Sequence, residues 1–182
     1  RARVRSMIKP VLHMGDPRLL RMAEPVTSFG TQELATLLQD MRDTMTHQNG
    51  AGIAAPQIGV NLRVVIFGGQ PSPRYPGTPS IPDTVLINPT LTPLSADEED
   101  GWEGCLSVPG LRGMVPRWKQ LHYSGYTQDG IFFERAVDGF HARVVQHEVD
   151  HLDGILYPRR IRDLTCFGFI DALIDDNLPS ID

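Results

Sequence analysis

No apolar run in this chain approaches the roughly 20 residues that a membrane-spanning helix requires, so a membrane protein is not expected. A basic surplus is missing as well. The 17 Lys and Arg are outnumbered by 22 Asp and Glu, for a formal net charge of −5. With no excess cation to neutralise phosphates, direct nucleic-acid binding is not expected. Cysteine is scarce: Cys105 and Cys166 could form at most one disulfide, so no disulfide framework holds the fold. That usage fits a cytoplasmic (bacterial) address, with an organelle as the alternative. The opening Arg1-Ala2-Arg3-Val4-Arg5-Ser6 is basic but lacks the apolar core of a secretory signal. It reads as a transit-peptide remnant or, by preference, as a disordered extension ahead of Met7, the natural start. Internal repeats and linkers are absent too, so residues 1–182 are expected to form a single domain.

What is present changes character along the chain. Residues 7–29 carry Pro10, Pro17 and Pro25 and read as an irregular segment laid over the core. From Thr31 to His47, Leu34, Leu37, Leu38, Met41 and Met45 repeat at helical spacing. Thr31 is the N-cap and Asn49-Gly50 the stop. The run Gly50-Ala51-Gly52-Ile53-Ala54-Ala55-Pro56-Gln57-Ile58-Gly59 is too small to build core but lets another backbone approach closely. It lacks the lysine of a phosphate loop. Arg63–Phe67 and Val85–Pro89 read as short strands, separated by a proline-rich surface loop from Gly68 to Pro82. Asp97-Glu98-Glu99-Asp100 reads as a solvated acidic turn. Gln120–Tyr126 and Ile131–Ala136 flank Gln128-Asp129-Gly130 as a hairpin. One helix, short strands with hairpins, then a second helix give an α+β class: short antiparallel strands and hairpins packed around a central helix.

That second helix opens at Asp138-Gly139 and carries His147-Glu148-Val149-Asp150-His151, an H-E-x-x-H pattern. At about 100° per residue the two histidines fall on adjacent turns of one face, within reach of one metal ion. Glu148, between them, can reach a water on that metal as a general base. Phe140 and Val144 share the histidine face; Ala142, Val145 and Val149 line the opposite side. Arg143, Gln146, Asp150 and Asp153 form the only polar stripe, which suits a central position. A catalytic site of this type needs a third protein ligand. One source is a downstream carboxylate, among Asp153, Asp163, Asp171, Asp175, Asp176 and Asp182, as in H-E-x-x-H proteases. The other is Cys105, in a tight Glu103-Gly104-Cys105-Leu106-Ser107 turn, as a thiolate. The residues alone leave both open.

Three stretches occur in order: Gly50-Ala51-Gly52-Ile53-Ala54-Ala55-Pro56-Gln57, Glu103-Gly104-Cys105-Leu106-Ser107 and Gln146-His147-Glu148-Val149-Asp150-His151. Together they resemble the three signature motifs of peptide deformylase, over about Met7 to Tyr157. The resemblance implies a metal-dependent hydrolase that removes the formyl group from N-formylmethionine on new polypeptides. It implies Cys105, His147 and His151 as ligands of one divalent metal, with Fe²⁺ physiological and Zn²⁺ the alternative in purified protein. Hydroxide at the metal would attack the formyl carbon, with Glu148 passing the proton to the leaving amine. The family assigns the oxyanion to the Gln57 amide and the Leu106 N–H. The Gly50, Ala51, Gly52 and Gly104 backbone would hold the peptide as an added strand. Phe140 and Val144, with Leu106 opposite, would line the methionine slot. Arg143 would edge the slot, touch substrate carbonyls or be solvated. The resemblance also pairs Asp150 with Arg117; otherwise it is a plain surface aspartate. Expected partners are nascent formylmethionyl chains and, transiently, the ribosome, with the protein a monomer or weak dimer. Some deformylases dock on the ribosome by a long basic C-terminal helix; with a short acidic tail here, that docking mode is not expected, and the resemblance assigns the proline-rich loop no clear role. A protease, or a binder without turnover, are the competing readings; intact Glu148 and Gln57 argue against the binder.

Overall fold

The computed structural model of the protein describes residues 7–69 and 71–173. The basic opening and the tail containing Asp175-Asp176-Asn177-Leu178-Pro179 lie outside the described residues. Helix α1 spans Gln32–His47. The Thr31 hydroxyl caps it by accepting from the Leu34 N–H at 3.1 Å. The chain leaves it through Gln48 and a left-handed Asn49 (φ 56°). Strands follow as β1 (Gly52–Ala54), β2 (Val64–Phe67), β3 (Thr84–Pro93), β4 (Glu98–Cys105), β5 (Val108–Trp118), β6 (Gln120–Tyr126) and β7 (Phe132–Asp138). Helix α2 (Gly139–Leu152) and β8 (Phe167–Phe169) close the order.

Five strands form one antiparallel sheet in the order β1-β2-β3-β6-β7, and three form a second in the order β4-β5-β8. Strand β2 shows why the two helices sit where they do. Its Val64-Val65-Ile66-Phe67 is apolar without alternation because both faces are covered. Val64 and Ile66 pack with Leu34, Leu38 and Met41 of α1, whereas Val65 and Phe67 pack with Val145, Val149 and Leu152 of α2. Each buried side chain of this size contributes roughly 1.5–3 kcal/mol. The sheet is therefore filled from both sides, and α2 lies between it and β5, with contacts to β1, β2, β5, β6 and β7. This is the α+β arrangement that the pattern predicts.

The structure differs from the sequence reading in several places. The second strand is twice the expected length and bends at Asn88 (φ 51°), where the β3–β6 register shifts. The bend lets the Asn88 side chain act as a short stretch of strand: Oδ1 accepts from Val26 N and Nδ2 donates to Val26 O, both at 2.9 Å. The acidic run is no turn; from Glu98 onward it is β4, paired Glu98↔Trp118 to Asp100↔Pro116 with β5. Its acidic residues are exposed, so no apolar alternation marks it as a strand. Strand β5 escaped the reading, as did β8 after Tyr157. The irregular N-terminal segment does overlie the core, as a belt. Leu12 N donates to Gln57 O and Met14 N to Ser107 O, each at 2.8 Å, so one segment joins the two sheets.

Candidate metal centre

Helix α2 presents His147 and His151 on successive turns, and β4 delivers Cys105 at its last residue. One donor atom from each, all within 4.8 Å of one another, could hold a metal. Cys105 Sγ and His151 Nε2 are 3.4 Å apart, against about 3.5 Å for S and N on one tetrahedral ion. The soft and borderline donors fit zinc or iron chemistry. Burial alone would push the Cys105 thiol up, but the charge on His151 and hydrogen bonds with His147 and His151 hold it well below the usual thiol range. A thiolate is what a metal needs. No downstream carboxylate joins this cluster among the described residues, and Asp171 sits exposed in a turn; Asp175, Asp176 and Asp182 lie outside them.

His147 is aimed from behind. Its Nδ1 faces Glu103 Oε1 at 2.8 Å, which turns Nε2 toward the cluster. Glu103 is 2% exposed and accepts also from Arg117 Nε and Nη2 (2.9 and 2.8 Å) and Arg143 Nη1 (2.7 Å). Burial would raise the Glu103 pKa, yet the Arg117 charge and these hydrogen bonds hold it well below the usual carboxylate range. Asp150 is buried and not a surface aspartate: it accepts from Arg117 Nη1 at 2.6 Å and, bidentately, from Arg160. Gln146 donates to Trp118 O and accepts from Trp118 N, both at 3.0 Å. The polar stripe of α2 is thus the seam that fixes the metal-bearing helix to β4 and β5. Arg143 belongs to that seam. With Nη1 on Glu103 and Val115 O and Nη2 on Glu99 O, it is neither solvated nor poised on substrate carbonyls, and it edges the cleft.

Glu148 has the opposite surroundings. It is 4% exposed, its Oε2 has no partner among the described residues, and burial pushes its pKa up to about 7. Room for it comes from Gly52, where an added Cβ would lie 2.9 Å from Glu148 Oε1. The glycine-rich run was expected to admit another backbone; what it admits here is this side chain. Gln57 sits in a 3-10 turn after β1. Its Oε1 accepts from Ala54 N at 2.9 Å, so its amide nitrogen points inward, 3.1 Å from Ser107 Oγ and 3.6 Å from Cys105 Sγ.

The expected substrate residues Gly50, Ala51, Gly52, Gly104, Phe140, Arg143 and Val144 line one cleft together with Leu106, Gln57, Glu148, His147 and Cys105. Arg74 and Tyr75 of the proline-rich loop line it too, which the sequence reading missed. It also gave no role to Glu103, although a carboxylate two residues before a metal-binding cysteine is a detectable signal. Among the described residues no helix is long and apolar enough to cross a membrane.

A family profile described as polypeptide deformylase matches residues 8–166. Peptide deformylase 2 of Ralstonia nicotianae is 62% identical over 174 residues, covering 96% of this chain and 98% of that protein. Peptide deformylase 1 of Nitrosomonas europaea is 64% identical over 167 residues, covering 92% and 95%. The Met-Ala-Ser-bound crystal structure of class I type b peptide deformylase from Acinetobacter baumannii matches with a TM-score of 0.82 and 42% identity, over 86% of this chain and 99% of that one.

Proposed function

Because the chain belongs to the polypeptide deformylase family, we propose that this cleft removes the formyl group from N-formylmethionine at the start of new polypeptides, using Cys105, His147 and His151 to hold a divalent metal. The observation that carries this assignment is the convergence of a buried thiolate and two imidazoles with an unpartnered carboxylate and an inward amide. A divalent metal in that cluster supplies activation of water near neutral pH and polarises the formyl oxygen. Fe²⁺ is the proposed physiological ion, and the same donors accept Zn²⁺.

Glu148 takes the proton from the attacking water and delivers it to the departing amine, which must be protonated to leave. A carboxylate held near pH 7 is suited to both transfers. Gln57 Nε2 and the Leu106 N–H stabilise the negative charge that develops on the formyl oxygen. Gln57 donates there because its own oxygen is committed to Ala54. The methionine side chain enters between Phe140, Val144 and Leu106, with Arg143 at the edge. The peptide behind it lies between β1 and β4, each an edge strand of its sheet, and pairs with Gly50, Ala51, Gly52 and Gly104. Main-chain pairing reads an extended backbone and ignores side chains, which suits an enzyme that meets many nascent chains.

These lining residues come from one chain, so a monomer suffices, and one catalytic domain accounts for the family match. The substrate places the work in the cytoplasm, in passing contact with ribosomes. Formate release from formyl-Met-Ala-Ser by the Fe²⁺- or Zn²⁺-loaded protein tests the reading. Glu148→Ala should lower the rate by about 10²–10⁴-fold. No formate with either metal would overturn it.

A further inference from the structure

We propose that the proline-rich loop is an autoinhibitory strap, in which the Tyr75 hydroxyl occupies the Gly104 backbone pair that an incoming peptide must use. The proposal rests on the reading of the cleft as a peptide site. Past the Glu103↔Gly113 pair, β4 has no further strand on its outer edge among the described residues, and the N–H and C=O of Gly104 point off that edge. Tyr75 satisfies both. Its hydroxyl accepts from Gly104 N at 3.0 Å and donates to Gly104 O at 3.1 Å, as one residue of a paired strand would. A peptide laid along Gly104 competes for those two groups.

The ring stands at the slot as well. Tyr75 packs on Phe140, with centroids 5.4 Å apart at 49°, and it lines the same cleft as Val144 and Leu106. A methionine side chain entering beside Phe140 meets the Tyr75 ring and has to displace it.

The loop is fastened lightly enough for that. Ser72 Oγ donates to Asn49 O at 2.7 Å, Tyr75 N to Ser72 O at 3.0 Å and Thr78 Oγ1 to Tyr75 O at 2.7 Å. Around these ties Pro71, Pro73, Pro76, Gly77 and Pro79 are exposed, so little apolar burial opposes opening. One further contact holds the ring: the buried Arg112 guanidinium lies 5.9 Å from the Tyr75 ring centroid, a cation–π arrangement. Apparent peptide affinity is lowered by the fraction of molecules that are closed.

The test compares wild type with Tyr75→Phe, which keeps the ring and removes the hydroxyl. Two readouts are needed on the Zn²⁺-loaded protein: KM and kcat for formyl-Met-Ala-Ser, and calorimetric affinity for Met-Ala-Ser, which requires no turnover. Tyr75→Phe should lower both KM and Kd by about three- to tenfold, the scale of one or two hydrogen bonds exchanged with water, with kcat within about twofold. Ser72→Ala, which releases the other end of the strap, should shift both the same way and serves if Tyr75→Phe folds poorly. Unchanged or weaker peptide binding in the folded variants would overturn the strap. Formate absent while the Kd shift persists would sink the deformylase reading and leave the strap standing; no peptide binding by either protein would overturn both.

Discussion

On the flank of α2 that meets β4 and β5, Glu103 accepts hydrogen bonds from Arg117, Arg143 and His147, and Asp150 accepts from Arg117 and Arg160. On the flank that meets β1, Glu148 Oε2 has no partner among the described residues, and His151 Nδ1, on the next turn, has none either, though both residues are buried. The same helix therefore carries one flank of saturated charge and one of bare polar atoms. Saturation locks the direction of a ligand. Bareness keeps a carboxylate basic, at a cost in stability that a purely structural residue would not incur.

Glu103→Ala should break the paired flank hardest. It strands the buried Arg117 beside Asp150 alone and frees His147 Nδ1. Losing one partner of such a network costs about 3–5 kcal/mol, and an unaimed histidine weakens metal affinity by about 10–100-fold. Denaturant unfolding and metal titration measure these; a loss below about 1 kcal/mol with normal metal retention would mean that the seam does not aim the histidine.

Glu148→Gln should act with the opposite sign. The wild-type carboxyl titrates near 7 in the folded protein and near 4.3 unfolded, so folding is weakened progressively as pH rises between those values. Gln does not titrate. The metal-free variant should therefore be more stable than wild type by roughly 3 kcal/mol at pH 8, with the gain fading toward pH 4. Equal melting at pH 8 would show that Glu148 is better satisfied than its surroundings suggest.

Gly52→Ala sharpens the contrast with the smallest step, placing a methyl 2.9 Å from Glu148 Oε1. About 1 kcal/mol of stability and roughly tenfold in kcat should be lost as the carboxylate shifts. Metal content should not change, because the paired flank is untouched. A change in metal content would show that the two flanks are coupled through the helix.

Much of the metal half of the site was legible before any coordinates. Periodicity placed both helices, and His147, Glu148 and His151 announce themselves because a helix turns local spacing into shared direction. Cys105 became compelling only beside the other two motifs, since strand residues reveal no partner by spacing. What escaped depends on long-range pairing. Strand β4 was hidden by its acidic exposed residues, and β5 by Pro109, Gly110, Gly113 and Pro116, which break the alternation that marks a strand. Tyr75 was invisible for a related reason: a loop rich in proline and glycine advertises irregularity and says nothing about what one of its side chains reaches.

The N-terminal belt has a kinetic meaning. Met14 N donates to Ser107 O and Leu12 N to Gln57 O, so Gln57 itself and the residue two past Cys105 receive backbone bonds from a segment made long before them. During synthesis Met14 leaves the ribosome while its acceptor is still untranslated. The belt must wait, undocked, until β4 and its turn have emerged. Closing so long a loop carries an entropic toll that local contacts do not. A segment made early thus docks fully only once Ser107 has followed it out, and an enzyme for nascent chains completes its own cleft only after most of it has been one.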